Sequence, residues 1–284
     1  MFTFSPSSQD SASSWISTAA CIACTVSASL IALKAYSLTT RARDPFNRCT
    51  DNTKSKHALV LIAHPDDESY FFAPILQALK HTMAETHLVC LSDGSAGGDG
   101  DTRKRELLTV KEMLQLEGLC IVDTEDLRDG MATEWPEKTV MAVLDAYTEG
   151  APVAFDYVVT FDGCGVSGHV NHVATYRGTK KWIEEKRKER DVMHGARGGD
   201  MPALPQVWVL ESANTARKLS GPLDVAMSYV ETCLDSHRRV FVPSLSLRRV
   251  FKAVRLHKSQ FVWYRKLFVV FSRFTYMNTL RRID

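Results

Sequence analysis

The chain reads as an α/β protein with a mostly parallel sheet and helices on both faces, preceded by one N-terminal transmembrane helix. Three observations predict this. From residue 57 onward, short β-rich runs alternate with longer segments of helical periodicity. The two loops richest in histidine and carboxylate each follow directly on one of those runs. Near the N-terminus lies a long stretch without a single charge.

That stretch comes first. No charged residue lies between Asp10 and Lys34, and residues 15–33 (WISTAACIACTVSASLIAL) are long enough to cross most of a hydrocarbon core of roughly 30 Å. The span is rich in Ala, Ser and Thr, so it is only weakly apolar. A cleaved signal peptide is the rival reading; it would need positive charge before the apolar run, and MFTFSPSSQD has none. Lys34, Arg41 and Arg43 follow the span instead, which places the later residues in the cytoplasm. The expected organisation is a short non-cytoplasmic N-terminus (1–14), a transmembrane anchor (15–33), a polar linker (34–56) and a catalytic domain (57–284).

Within that domain, strands are expected at 58–63, 87–92, 119–123, 157–162 and 206–211. Residues 103–117 carry an apolar stripe (Leu107, Leu108, Val110, Met113, Leu114, Leu116) that predicts a helix ended by Gly118. Pro136 suits the first turn of the next helix. The charge run 180–190 reads as a solvated helix face, and 186–204 as a surface excursion. Residues 261–274 (FVWYRKLFVVFSRF) mix aromatics with Arg265, Lys266 and Arg273. They suit either a core helix with snorkelling cations or an interfacial helix beside a lipid.

Bulk composition excludes some functions. Lys plus Arg total 35 against 33 Asp plus Glu, a net +2 that leaves no footprint for nucleic acid. The seven cysteines are odd in number and scattered, which suits free thiols better than a disulfide framework. The lone Cys21-x-x-Cys24 lies in the apolar span and has no second pair to complete a zinc site.

Function concentrates in the loops that leave the strands, where parallel sheets place their chemistry. The first strand ends in His64-Pro65-Asp66-Asp67-Glu68, one imidazole and three carboxylates. Like charges so close repel, and a divalent cation relieves them. His64 and Asp67 have the spacing to share one ion, with Asp66 beside it as a proton acceptor. The plainer reading is a helix-capping loop, with the acids favouring the N-terminus of a helix near Ser69. A second cluster, Gly163-Cys164-Gly165-Val166-Ser167-Gly168-His169-Val170-Asn171-His172, follows the fourth strand. His64, Asp67 and His172 together offer two nitrogens and one oxygen with open positions, the pattern of a catalytic zinc site. The glycines also match G-x-G-x-x-G, the dinucleotide fingerprint. That motif normally opens the first βαβ unit, and about 20 residues on, where a ribose-binding acid should end the next strand, the chain is in a Lys/Arg-rich helical stretch.

AHPDDE followed by GHVNH resembles the LmbE-like zinc de-N-acetylases. The runs LIAHPDDESYFFAPIL, TRKREL, VVTFDGCGVSGHVNH and HKSQFVWYRKLFVVFSRF resemble its N-acetylglucosaminylphosphatidylinositol de-N-acetylase branch, over roughly residues 57–280. This resemblance implies a Rossmann-like three-layer fold and a divalent metal, Zn2+, held by His64, Asp67 and His172. It implies Asp66 as general base and His169 as the group that stabilises the oxyanion or protonates the leaving amine. Arg103 and His257 would contact substrate. The implied reaction removes acetate from N-acetylglucosaminyl-phosphatidylinositol during glycosylphosphatidylinositol anchor synthesis. The implied setting is a single-pass protein of the endoplasmic reticulum membrane, with a glycolipid substrate and a cytoplasmic catalytic domain. A de-N-acetylase of another N-acetylated sugar is the alternative, with a NAD-dependent oxidoreductase a remoter one.

Overall fold

The computed structural model describes residues 55–197 and 203–283, together with Cys21, Cys24, Ser27 and Phe46. The expected span at 15–33 therefore lies almost wholly outside the described residues. Among those described, no helix is long and apolar enough to cross a membrane.

Seven strands form one sheet: β1 (His57–Ile62), β2 (Glu85–Cys90), β3 (Gly118–Ile121), β4 (Tyr157–Phe161), β5 (Gln206–Leu210), β6 (Arg239–Pro243) and β7 (Met277–Ile283). Their order is β3-β2-β1-β4-β5-β7-β6. Neighbours from β3 through β5 run parallel, while β7 is antiparallel to both β5 and β6. The five expected strands are all present, within a residue or two. The sequence reading missed β6 and β7. RVFVP is short and ends in proline, which edge strands tolerate because one side needs no hydrogen-bond donor. MNTLRRI has no alternation to announce a strand.

The principal helices are α1 (Asp67–Tyr70), α2 (Ala73–His81), α3 (Gly100–Leu114), α4 (Glu137–Gly150), α5 (Val170–Arg197), α6 (Val225–Leu234), α7 (Leu247–Leu256), α8 (Trp263–Phe271) and α9 (Arg273–Tyr276). Crossovers β1 to β2 and β4 to β5 run in opposite directions along the sheet, so right-handed connections place their helices on opposite faces. In accord, α4 packs on α5, while α9 packs on both α2 and α7.

β1 is the heart of the core: Ala58 through Ala63 are fully shielded from solvent. Phe46, from the segment read as a polar linker, is buried with its ring against Tyr157 and Trp208. Two further expectations need correction. Helix α3 ends at Leu114, with Gln115 rather than Gly118 in the left-handed conformation (φ 58°). Gly118 instead opens β3, where a Cβ would meet His87 Nδ1 at 2.4 Å and the Tyr147 hydroxyl at 2.7 Å. The expected excursion at 186–204 is helical as far as Arg197, because its charged, unbranched residues are good helix formers and no proline interrupts them; residues 198–202 lie outside the described residues. The charge run 180–190 does face solvent for the most part, with Trp182 and Ile183 turned inward.

β1 and β4 are adjacent and parallel, yet their crossovers depart in opposite directions. Between their carboxyl ends lies the topological switch point, where open α/β sheets bind ligands. The two motif loops leave those same two strand ends.

Candidate active site

From β1 the chain turns sharply through His64–Pro65–Asp66. Asp66 holds φ at 129°, a region that side chains other than glycine rarely occupy. Such strain persists only when the surroundings enforce it. Here Glu68 does so, its Oε2 accepting the Asp66 backbone N–H at 3.1 Å. Glu68 is itself held by the Ser69 hydroxyl at 2.6 Å and by His257 Nε2 at 2.5 Å. Both Glu68 and His257 are completely buried.

Asp67 points back over the strand end. Its Oδ2 accepts the backbone N–H groups of Ala63 (3.1 Å) and His64 (2.8 Å). Burial alone would raise its pKa; the His172 and His64 imidazoles and the His64 N–H outweigh burial and hold the carboxyl well below the usual range.

His172 arrives from β4. Asp162 at the strand end accepts the N–H groups of Cys164 and Gly165, each at 3.1 Å, and ties the glycine loop down. Gly165 (φ 55°) then passes so close to His172 that a Cβ would lie 2.9 Å from the His172 Cβ. The Gly165 carbonyl takes the His172 Nδ1 proton at 3.1 Å, and Phe161 stacks on the ring at 4.0 Å between centroids. Gly165 thus serves the approach to His172.

With Nδ1 the donor, His172 Nε2 has only its lone pair to offer when the ring is neutral. This atom is buried, without a hydrogen bond, and faces Asp67 Oδ1 at 3.3 Å. His64 is poised in the complementary way. Its Nε2 lies 3.1 Å from Asn171 Oδ1 and 3.0 Å from Asp129 Oδ1, both acceptors. The Asn171 orientation follows from its amide nitrogen, which donates to the Thr133 carbonyl at 2.7 Å. Nε2 therefore carries the proton, and Nδ1 turns toward Asp67 Oδ2 at 3.6 Å. Burial would lower the His64 pKa, but Asp129 and Asp67 prevail and raise it.

One donor atom from each of His64, Asp67 and His172 lies within 4.8 Å of the others. Two imidazole lone pairs and a carboxylate converging in a buried place, each oriented by an outer hydrogen bond, fit a divalent cation. His64, Asp129 and His169 also approach within 4.8 Å of one another. There, however, His64 Nε2 is already hydrogen-bonded to Asn171 and faces Asp129, so its proton leaves no lone pair on that atom for an ion.

The remaining expected residues separate. Asp66 lines the cavity beside the triad. Burial raises its pKa, partly offset by Arg265 and Arg103. His169, half-buried, accepts the Asn171 N–H on Nδ1 at 3.2 Å, so its proton sits on Nε2. Burial and the neighbouring His64 and His172 push its pKa down to about 4. Arg103 also lines the cavity, but its guanidinium is buried and committed: Nη1 donates to the Gly94 carbonyl at 2.6 Å and Nη2 to the Pro65 carbonyl at 2.7 Å. It braces the Asp66 loop from beneath. His257 stands behind that loop on Glu68 and is not among the residues that line the cavity.

Sequence reasoning missed three residues. Asp129, in the loop after β3, belongs to no motif. Asn171 was visible inside GHVNH but has no role until the Thr133 carbonyl is in place. Arg265, from α8, forms an ion pair with Asp66 across 199 residues of sequence. The cavity that Asp129 and Arg265 line, about 450 Å³, is closed on one side by Tyr264, Arg265 and Phe268 of α8.

Comparison with known proteins agrees with this geometry. Residues 59–183 match the family model described as PIG-L, GlcNAc-PI de-N-acetylase. A Schizosaccharomyces pombe protein described as "Probable N-acetylglucosaminyl-phosphatidylinositol de-N-acetylase" is 32% identical, covering 79% of this chain and 86% of the relative. The Bos taurus N-acetylglucosaminyl-phosphatidylinositol de-N-acetylase is 31% identical over 78% of this chain and 81% of its own. Among solved structures, N,N'-diacetylchitobiose deacetylase from Pyrococcus horikoshii shares the fold with a TM-score of 0.56 at 15% identity, covering 88% of this chain and 92% of that one. The sheet order, the motif loops at the switch point and these likenesses agree: the chain belongs to the PIG-L, GlcNAc-PI de-N-acetylase family.

Proposed function

We infer that this chain is a hydrolase that removes the acetyl group from N-acetylglucosaminyl-phosphatidylinositol, using a divalent metal held by His64, Asp67 and His172. The observation that carries the metal reading is the buried His172 Nε2, without a hydrogen bond and aimed at Asp67. The substrate follows from the names of the relatives, at 31–32% identity over most of the chain. Zinc is the ion that this set of two nitrogens and one oxygen favours.

A cation held there supplies Lewis acidity toward the acetamide carbonyl and lowers the pKa of a water molecule toward about 7. The chain's own residues do the rest. Asp66, its basicity raised by burial, accepts the proton of the attacking water. His169 is neutral near pH 7 and presents Nε2–H, a donor suited to an oxyanion. That tautomer favours oxyanion stabilisation over delivery of a proton to the leaving amine. Asp66 then holds the proton that the amine needs. Arg103 and the Glu68–His257 pair keep the Asp66 backbone in place. Arg265 is the cavity's accessible cation, and once released from Asp66 it can meet the substrate phosphate.

The anchor at 15–33, the linker at 34–56 and residence as a single-pass protein of the endoplasmic reticulum belong to the same proposal. Support comes from the uncharged stretch and the cations that follow it. Incubating the purified chain with N-acetylglucosaminyl-phosphatidylinositol tests the reading: stoichiometric acetate and glucosaminyl-phosphatidylinositol are expected, and an intact substrate would overturn it.

A further inference from the structure

The C-terminal part of the chain has a charge pattern unlike the rest. Twelve of the 35 Lys and Arg residues fall between 236 and 283, while all 33 Asp and Glu residues lie elsewhere. Two amphipathic helices occupy the middle of this stretch. On α7, Val250, Ala253 and Val254 are buried while Arg248, Arg249, Lys252 and Arg255 are exposed. On α8, Val269 is buried, and the inner side also carries Arg265 and Phe268 to the cavity wall. Both helices set their inner faces in one small cluster with Tyr70 and Ala73.

The outer face of α8 is the anomaly. Trp263 is 73% exposed, Tyr264 56%, Leu267 52%, Val270 43% and Phe271 54%. At 100° per residue these five side chains fall within about 120° of arc, a continuous apolar stripe turned away from the buried Val269, with Tyr264 at its edge also reaching the cavity. Stripes of this size on a soluble surface mark an interaction site. Charge decides what it meets: Arg248, Arg249, Lys252, Arg255, Lys258 and Lys266 are exposed, and none forms an ion pair among the described residues. An exposed Trp–Tyr–Leu–Phe stripe, in a stretch of chain whose exposed cations form no ion pair among the described residues, suits a bilayer interface with anionic headgroups.

We propose that α8 is an interfacial docking helix, its outer face inserted among lipid headgroups and acyl chains. The cations of α7 and Lys266 hold the protein to an anionic surface. The same helix forms the cavity wall, so docking brings the cavity mouth to the depth at which a lipid-borne head group emerges. This rests on the reading of the cavity as a site for a membrane glycolipid.

The test uses the full chain with two substrates, so that the anchor is common to every arm. One is N-acetylglucosaminyl-phosphatidylinositol in phosphatidylcholine vesicles containing about 30% phosphatidylserine. The other is its water-soluble head-group analogue lacking acyl chains. Leu267→Asp with Phe271→Asp, and separately Arg248→Glu with Lys252→Glu, are compared with the unaltered chain. Activity in vesicles is expected to fall at least about tenfold in each pair, with hydrolysis of the soluble analogue unchanged. In vesicles lacking phosphatidylserine, the charge-reversed chain and the unaltered one should converge. An equal loss on both substrates would make α8 merely structural to the site and overturn the proposal. So would full vesicle activity in both variant pairs, or a self-association in detergent that the Leu267 and Phe271 substitutions abolish without affecting vesicle hydrolysis. Failure of the unaltered chain on both substrates would instead contradict the assigned reaction.

Discussion

His172 Nε2 faces Asp67 Oδ1 at 3.3 Å while its Nδ1 is occupied by the Gly165 carbonyl. In the neutral ring this sets a lone pair against a carboxylate in a buried place, an arrangement that calls for a cation between them. His172→Ala should therefore cost metal affinity. Elemental analysis of the purified variant should show the metal lost, with the fold retained by circular dichroism.

Asp129 should matter almost as much, although it is not one of the three proposed ligands. It fixes the His64 proton on Nε2 and leaves Nδ1 for the metal. Loss of such an outer partner typically costs 10–100-fold in metal affinity. Asp129→Ala should show a decrease of about that size by competition with a chromogenic chelator, and an unchanged affinity would remove the positioning role.

Asp66→Asn should retain the metal and lose turnover by about 10²–10⁴-fold, the range for a general base. Arg265→Gln should act in a different way. Arg265 lowers the Asp66 pKa, so its removal lets burial raise that pKa further. The base must be ionised to accept a proton, and the acidic limb of the kcat/KM profile should move to higher pH. A profile that stays in place, with KM alone altered, would leave Arg265 only the phosphate.

The buried His257–Glu68 pair supports the strained Asp66 turn. Removing one member of such a pair costs about 3–5 kcal/mol, so His257→Ala should lower the melting temperature sharply. Burial would depress the His257 pKa, but Glu68 and Asp66 outweigh it and raise the value above the ordinary 6.5. The pair's contribution is then complete below the unfolded pKa and declines as pH rises through the raised folded one. Urea melts across that window should show the decline in the unaltered chain and not in the variant.

Gly165→Ala tests the glycine loop. The residue would need a left-handed backbone, at about 1–2 kcal/mol, and its Cβ would press on His172. Weaker metal binding is expected, again read by elemental analysis.

Much of this site was legible in the sequence because its parts are local. His64, Asp66 and Asp67 lie in one five-residue loop, His169 and His172 in another, and each follows a strand whose β-rich run is plain. Strand adjacency brought them together, and parallel-sheet topology anticipates that. The parts that were not legible depend on distant pairings. Asp129 acquires meaning only from the orientation of His64, and Arg265 only from a helix folded back 199 residues later. Resemblance sets Arg103 and His257 near the site; Arg103 lines the cavity and donates to the Pro65 carbonyl, while His257 stands behind on Glu68. β6 and β7 escaped because neither has the alternation of a half-buried strand. The helical continuation to Arg197 is hidden in the sequence because a dense run of charge reads equally well as a surface loop.

Hydrolysis is expected to depend on a metal held between the β1 and β4 loops. Its most direct test is acetate release from N-acetylglucosaminyl-phosphatidylinositol by the purified chain, before chelation, after chelation and after titration with Zn2+. Release should vanish with the chelator and return as one equivalent of zinc is restored, and the His172→Ala chain should stay inactive throughout. Steady release from a chain proven free of metal would show that hydrolysis here needs no cation.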